Sequence, residues 1–88
     1  MASFEVILKP SVEKDFLSLP KPVVGRVLNR IEELKANPFP PQSSKLQGAE
    51  HLYRIRAGDY RIVYKVDSTA KVVLVQHVRH RREVYRGL

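Results

Sequence analysis

The sequence predicts an α+β fold: an N-terminal strand, a helical hairpin, an antiparallel β-meander and a short C-terminal tail. Three observations predict it. Apolar residues recur at helical spacing only between residues 11 and 35. From residue 52 to residue 78 the pattern changes to alternation, broken by two tight turns. Finally, 88 residues with 43% hydrophobic and 28% charged side chains suit one domain over residues 1–88 with a modest core.

Phe4-Glu5-Val6-Ile7-Leu8 is short, β-rich and mostly apolar, and reads as the first strand. Ser11 is the candidate N-cap of a helix over about residues 11–19, with Val12, Phe16 and Leu19 at helical spacing. Pro20 and Pro22 interrupt it, and a second helix starts near Lys21, where Pro22 suits the first turn. Val23, Val24, Val27, Leu28, Ile31 and Leu34 make its apolar stripe, and Asn37-Pro38 ends it. The short connection makes the two helices a hairpin. Pro38 to Gly48 reads as a loop. Leu52 to Arg56 and Arg61 to Val66 alternate around a tight turn centred on Gly58-Asp59. Asp67 to Ala70 turns again, and Val72 to Val78 is apolar enough for a central strand. His80 to Leu88 is a basic tail.

Composition excludes several classes of function. Without cysteine there is no disulfide framework, thiolate nucleophile or Cys-rich zinc site, which leans towards a reducing cytoplasm. The longest apolar runs, such as Val72 to Val75, are too short for a membrane-spanning helix, so no membrane partner is expected. The three histidines lack metal-ligand spacing, and no metal or cofactor is expected. Charge is more informative. Sixteen Lys and Arg stand against nine Asp and Glu, a net charge of +7. Residues 45–88 hold ten of the cations, seven of them arginine, against four acidic groups. An arginine fork matches phosphate or carboxylate, so the C-terminal half points to a polyanion, either nucleic acid or an acidic protein.

The hairpin gathers these cations. A two-residue turn at Gly58-Asp59 pairs Ala57 with Tyr60, Arg56 with Arg61, Ile55 with Ile62 and Tyr53 with Tyr64. Tyr53, Ile55, Ile62 and Tyr64 then face the helices, while Arg54, Arg56 and Arg61 share the other face. Like charges directly opposite destabilise a sheet, and an anion between them would reverse the sign. The ordinary alternative is three solvated arginines whose stems cover apolar surface. Arg79, His80, Arg81, Arg82 and Tyr85 add charge and one aromatic side chain, suited either to stacking on a nucleobase or to packing the tail.

Cations, a tyrosine and a few histidines without a carboxylate pair suit cleavage of RNA. The substrate brings its own nucleophile, the 2′-OH. Arginines suit stabilisation of the phosphorane oxygens. His80 or Tyr85 is placed for proton transfer, and so weak an acid–base set predicts slow cleavage of free RNA.

Tyr53-Arg54-Ile55-Arg56, Gly58-Asp59-Tyr60-Arg61-Ile62-Val63-Tyr64 and Val78-Arg79-His80-Arg81-Arg82-Glu83-Val84-Tyr85 resemble the RelE/ParE superfamily of type II toxins. The likeness covers nearly the whole chain and includes Lys45-Leu46-Gln47-Gly48. It implies a RelE-like, microbial-RNase-like fold and an mRNA interferase that cuts in the ribosomal A site by 2′-OH attack, without a metal. It implies catalytic roles for Arg61, Arg81 and Tyr85, with Arg79 a rival for the second arginine. RNA binding would fall to Arg54, Arg56, Arg79, His80 and Arg82. The implied partners are the ribosome, mRNA and a RelB-like antitoxin with an acidic, partly disordered segment. A ParE-type inhibitor of DNA gyrase with the same fold is the alternative.

Overall fold

Helical spacing in the first half and alternation in the second resolve into seven elements in a computed structural model that describes residues 3–46, 48 and 51–80. They are β1 (Glu5–Leu8), α1 (Pro10–Leu17), α2 (Lys21–Ala36), β2 (Ser44–Lys45), β3 (Leu52–Ala57), β4 (Tyr60–Asp67) and β5 (Val72–His80). The strands form one sheet in the order β1-β5-β4-β3-β2. β3, β4 and β5 are the expected antiparallel meander. β1 joins it in parallel along the first half of β5, with Glu5 opposite Val72 and Leu8 opposite Val75.

Val12, Val27, Ile31 and Leu34 from the helices pack on Ile55, Ile62, Tyr64, Val66, Val73 and Val75, all buried. Both helices therefore cover one face of the sheet and leave the other open. Tyr64 is the largest buried side chain, and its hydroxyl donates to the Pro38 carbonyl at 2.8 Å. Burial pushes this phenol up to about 12. Tyr53 stacks on Tyr64 at 6.0 Å, and Phe39 meets Tyr53 edge-on at 5.0 Å. These rings and the Pro38 bond tie the start of the 38–43 segment to the sheet ahead of β2.

Four expectations need correction. Ser11 is not the N-cap. α1 begins at Pro10 after Lys9, with no side-chain cap, because proline at the first position needs no hydrogen bond from its nitrogen. The Ser11 hydroxyl instead approaches the Gln76 carbonyl, at a long 3.4 Å. α1 also stops at Leu17, short of residue 19, where the Ser18 hydroxyl donates to the Asp15 carbonyl at 2.8 Å. The 38–48 segment is not all loop, since Ser44 and Lys45 pair with Arg54 and Tyr53 as β2. Two residues carry no periodicity to read. Lastly, His80 belongs to β5, paired with Tyr60, and does not open the tail.

Candidate anion-binding site

The β3–β4 turn sets the site. Gly58 takes a positive φ of 62°, which a two-residue hairpin turn demands. The register then places Arg56 opposite Arg61, as the sequence predicts, and Arg61 opposite Arg79. Three arginines thus occupy one row across β3, β4 and β5, on the face away from the helices. The next row holds Ser44, Arg54, Val63 and His77. Val63 is buried although it lies outside the core cluster, between Arg54 and His77 on the open face.

A cleft of about 180 Å³ opens beside this row, lined by Gln42, Ser44, Arg54, Ile55, Arg56 and Arg61. Arg56 is braced, its Nε donating to the Gly58 carbonyl at 2.8 Å. Arg61 is half-buried, and its Nη1 is fully buried with no hydrogen-bond partner. A buried, unpartnered donor on a cation is costly, and an anion entering the cleft is the ligand that would offset the cost.

Arg79 is held differently. Its Nη1 donates to Asp15 Oδ1 at 2.8 Å, and Asp15 Oδ2 accepts the Val78 backbone N–H at 3.1 Å. Asp15 itself is only 7% exposed. Beyond Val75, β5 has no β1 residue to pair with, and Asp15 caps that edge. Arg79 therefore stands in the arginine row with its head drawn to the sheet edge, and it does not line the cleft. Nearby, His77 is held below the usual histidine range by partial burial and then by the Arg79 charge, with Asp15 acting in the opposite direction.

His80 does not share the arginines' face. It pairs with Tyr60, whose other neighbour Ala57 is part of the core, and its ring meets Tyr60 edge-on at 5.3 Å. Arg81, Arg82 and Tyr85 lie outside the described residues. Gln42, Ser44 and Asp15 were missed from sequence. For Asp15 a signal exists: it falls with Val12 and Phe16 on the buried stripe of α1, where a carboxylate needs a partner. Among the described residues no three His, Asp or Glu side chains converge as metal ligands, and no helix is long and apolar enough to cross a membrane.

Residues 6–85 match the family model described as the ParE toxin of the type II toxin–antitoxin system parDE. A relative from Methanocaldococcus jannaschii named RelE1 is 29% identical over 87 residues, covering 96% of this chain and 97% of the relative. The crystal structure of the archaeal RelE–RelB complex from Pyrococcus horikoshii superposes with a TM-score of 0.80 at 33% identity, over 90% of this chain and 96% of that one. The intact E. coli RelBE toxin–antitoxin complex gives 0.77 at 25% identity, over 89% and 96%.

Proposed function

The chain belongs to the RelE/ParE superfamily of type II toxins, and from that premise we propose that it is an endoribonuclease that cuts mRNA in the ribosomal A site. The observation that carries this reading is Arg61, which lines a cleft with Arg54 and Arg56 and whose Nη1 is buried without a hydrogen-bond partner. In the proposed reaction the 2′-oxygen attacks the adjacent phosphorus and loses its proton, while the bond to the 5′-oxygen breaks. That oxygen gains a proton, leaving a 2′,3′-cyclic phosphate and a free 5′-hydroxyl. Arg61 holds the charge that develops on the phosphorane oxygens, and Arg54 and Arg56 bind the incoming phosphate. The nucleophile comes with the substrate, so the reaction calls for no metal-activated water and no cofactor. Of the two groups suited to the proton steps, His80 lies on the other face, which leaves Tyr85; Arg81 is the second catalytic arginine, and Arg82 adds to the RNA-binding charge.

The structurally similar RelE proteins of Pyrococcus and E. coli are held in complexes with RelB. A RelB-like antitoxin is accordingly the proposed partner here, with an acidic segment that covers the arginine face of this +7 chain. The ribosome and mRNA are the proposed targets, which places the action in the cytoplasm.

The test maps mRNA 5′ ends after induction of the wild type and of Arg61→Ala. Cuts at A-site codons that vanish in the variant support the proposal; growth inhibition without cuts removes it. The second reading, inhibition of DNA gyrase, is favoured by the ParE description of the matching family model. Loss of supercoiling in a purified gyrase assay supports that reading instead.

A further inference from the structure

We propose that Asp15 is a positioning residue: it tethers Arg79 at the rim of the arginine row, where Arg79 takes the phosphate next to the one held in the cleft. The inference rests on the RNA-cleaving reading and extends its substrate site by one nucleotide.

Asp15 is a carboxylate on the otherwise apolar face of α1, and both of its oxygens are engaged at the free edge of β5. A buried carboxylate of this kind is poor value for stability alone, since an apolar side chain beside Val12 and Phe16 would pack without desolvating a charge. What it does achieve is geometric. Arg79 lies next to Arg61 in the row, and a long side chain with a free head samples many rotamers. The bond to Asp15 spends one of five guanidinium donors and fixes the direction of the rest. The Arg79 side chain remains 41% exposed, so an anion can reach it. Neighbouring strands are about 4.8 Å apart, so Arg79 stands one spacing from Arg61 and two from Arg56. An RNA strand crossing the row from the cleft would reach the Arg79 head at the sheet edge with the adjoining phosphate. Holding the scissile phosphate in the cleft and its neighbour at Arg79 would also orient the 2′-oxygen for in-line attack.

The test is binding of a short single-stranded RNA, 2′-O-methylated throughout so that it cannot be cut, followed by fluorescence anisotropy over a range of salt. The sign of one effect decides. Asp15→Asn raises the net charge by one, so bulk electrostatics predicts tighter binding, whereas loss of the tether predicts weaker binding. We expect Asp15→Asn to weaken binding about fivefold, and Arg79→Ala to weaken it at least as much while lowering the salt slope by about 0.7. The double variant should bind like Arg79→Ala alone, and Asp15→Glu should restore most of the affinity. The asparagine keeps an oxygen for the Val78 N–H, and thermal denaturation verifies the fold. Tighter or unchanged binding by Asp15→Asn, or a loss that persists in the Arg79→Ala background, overturns the proposal. So does an Arg79→Ala protein that binds as the wild type does, a measurement independent of how Asp15→Asn folds. If Arg61→Ala alone weakens binding, this inference fails while the nuclease reading stands; if the wild type does not bind, this inference fails, and the mapped mRNA 5′ ends decide the nuclease reading separately.

Discussion

Replacing Arg61 by methionine should cripple activity and stabilise the fold. Its Nη1 is buried without a partner, and leaving such a donor unsatisfied costs about 1–3 kcal/mol. Arg61 also has a like charge directly opposite, Arg56, a pair that costs about 0.2–1 kcal/mol, whereas Arg79 on its other side is paired with Asp15. Against this stands the packing of the Arg61 stem on its neighbours, about 1–2 kcal/mol for two or three half-buried methylenes. Methionine keeps most of that stem, so Arg61→Met should gain about 1 kcal/mol, which raises Tm by roughly 4–8 °C for a domain of this size. Arg61→Ala, which forfeits the stem, should come out near neutral. Loss of one charge-stabilising contact in the transition state costs about 3–4 kcal/mol, so A-site cleavage should fall by roughly 10²–10³-fold in both variants. Thermal and urea denaturation measure the first effect, and primer extension on programmed ribosomes the second. A Tm that falls by several degrees in Arg61→Met would refute the reasoning, because it would mean that the guanidinium is satisfied in the free protein and serves the fold.

Three further outcomes follow from groups around the site. Tyr64 keeps its proton in the fold to about pH 12 but loses it near 10 in the unfolded chain, so stability should fall between those values by about 2–3 kcal/mol; urea midpoints across this range, flattened in Tyr64→Phe, check it. His77 titrates below its unfolded value, so its contribution to stability is complete above pH 6.5 and is lost as the pH falls; an NMR titration should move up in Arg79→Ala and further down in Asp15→Asn. Gly58→Ala meets only the Arg26 Nη1 atom, at 3.8 Å, so its cost is backbone strain at positive φ, about 1 kcal/mol in a melting experiment.

The meander was legible because its signals are local. Gly58-Asp59 fixes a two-residue turn, the turn fixes the register, and the register alone brings Arg56 opposite Arg61. The arginine row could be extended to Arg79 only once the pairing of β4 with β5 was known. A bulge between Val63 and Tyr64 lets the strand alternation slip there, so counting from the Asp67 turn misplaces β5. The parallel docking of β1 was not legible either, because nothing in Phe4 to Leu8 says which strand it will meet. β2 owes its existence to the 38–43 segment being held by Tyr64 and Tyr53, a tertiary cause with no local pattern. Arg81, Arg82 and Tyr85 rest on the resemblance alone, since they lie outside the described residues.

The error at Ser11 explains why Asp15 matters. Ser11 and Asp15 are four residues apart, on one side of α1. Had Ser11 capped the helix, its hydroxyl would have faced the helix's own N–H groups. Instead Pro10 opens the helix two residues earlier than a Ser11 cap would, and Ser11 and Asp15 both turn towards β5, meeting the Gln76 carbonyl and the Val78 N–H. β1 pairs with β5 only as far as Val75, yet β5 runs on to His80. Past that point α1 takes the place of a strand and supplies side-chain partners to an edge that would otherwise be open. Arg79 is carried on this helix-capped stretch, so the length of the arginine row depends on where a proline starts a helix. A variant that moves that start, such as Pro10→Gly, which removes the fixed φ at the first helical position and leaves Ser11 as the nearest capping side chain, should loosen the Asp15 contact and reduce RNA binding while leaving Arg61 and the cleft in place. An unchanged affinity would separate the helix start from the site and break this chain of reasoning at its first link.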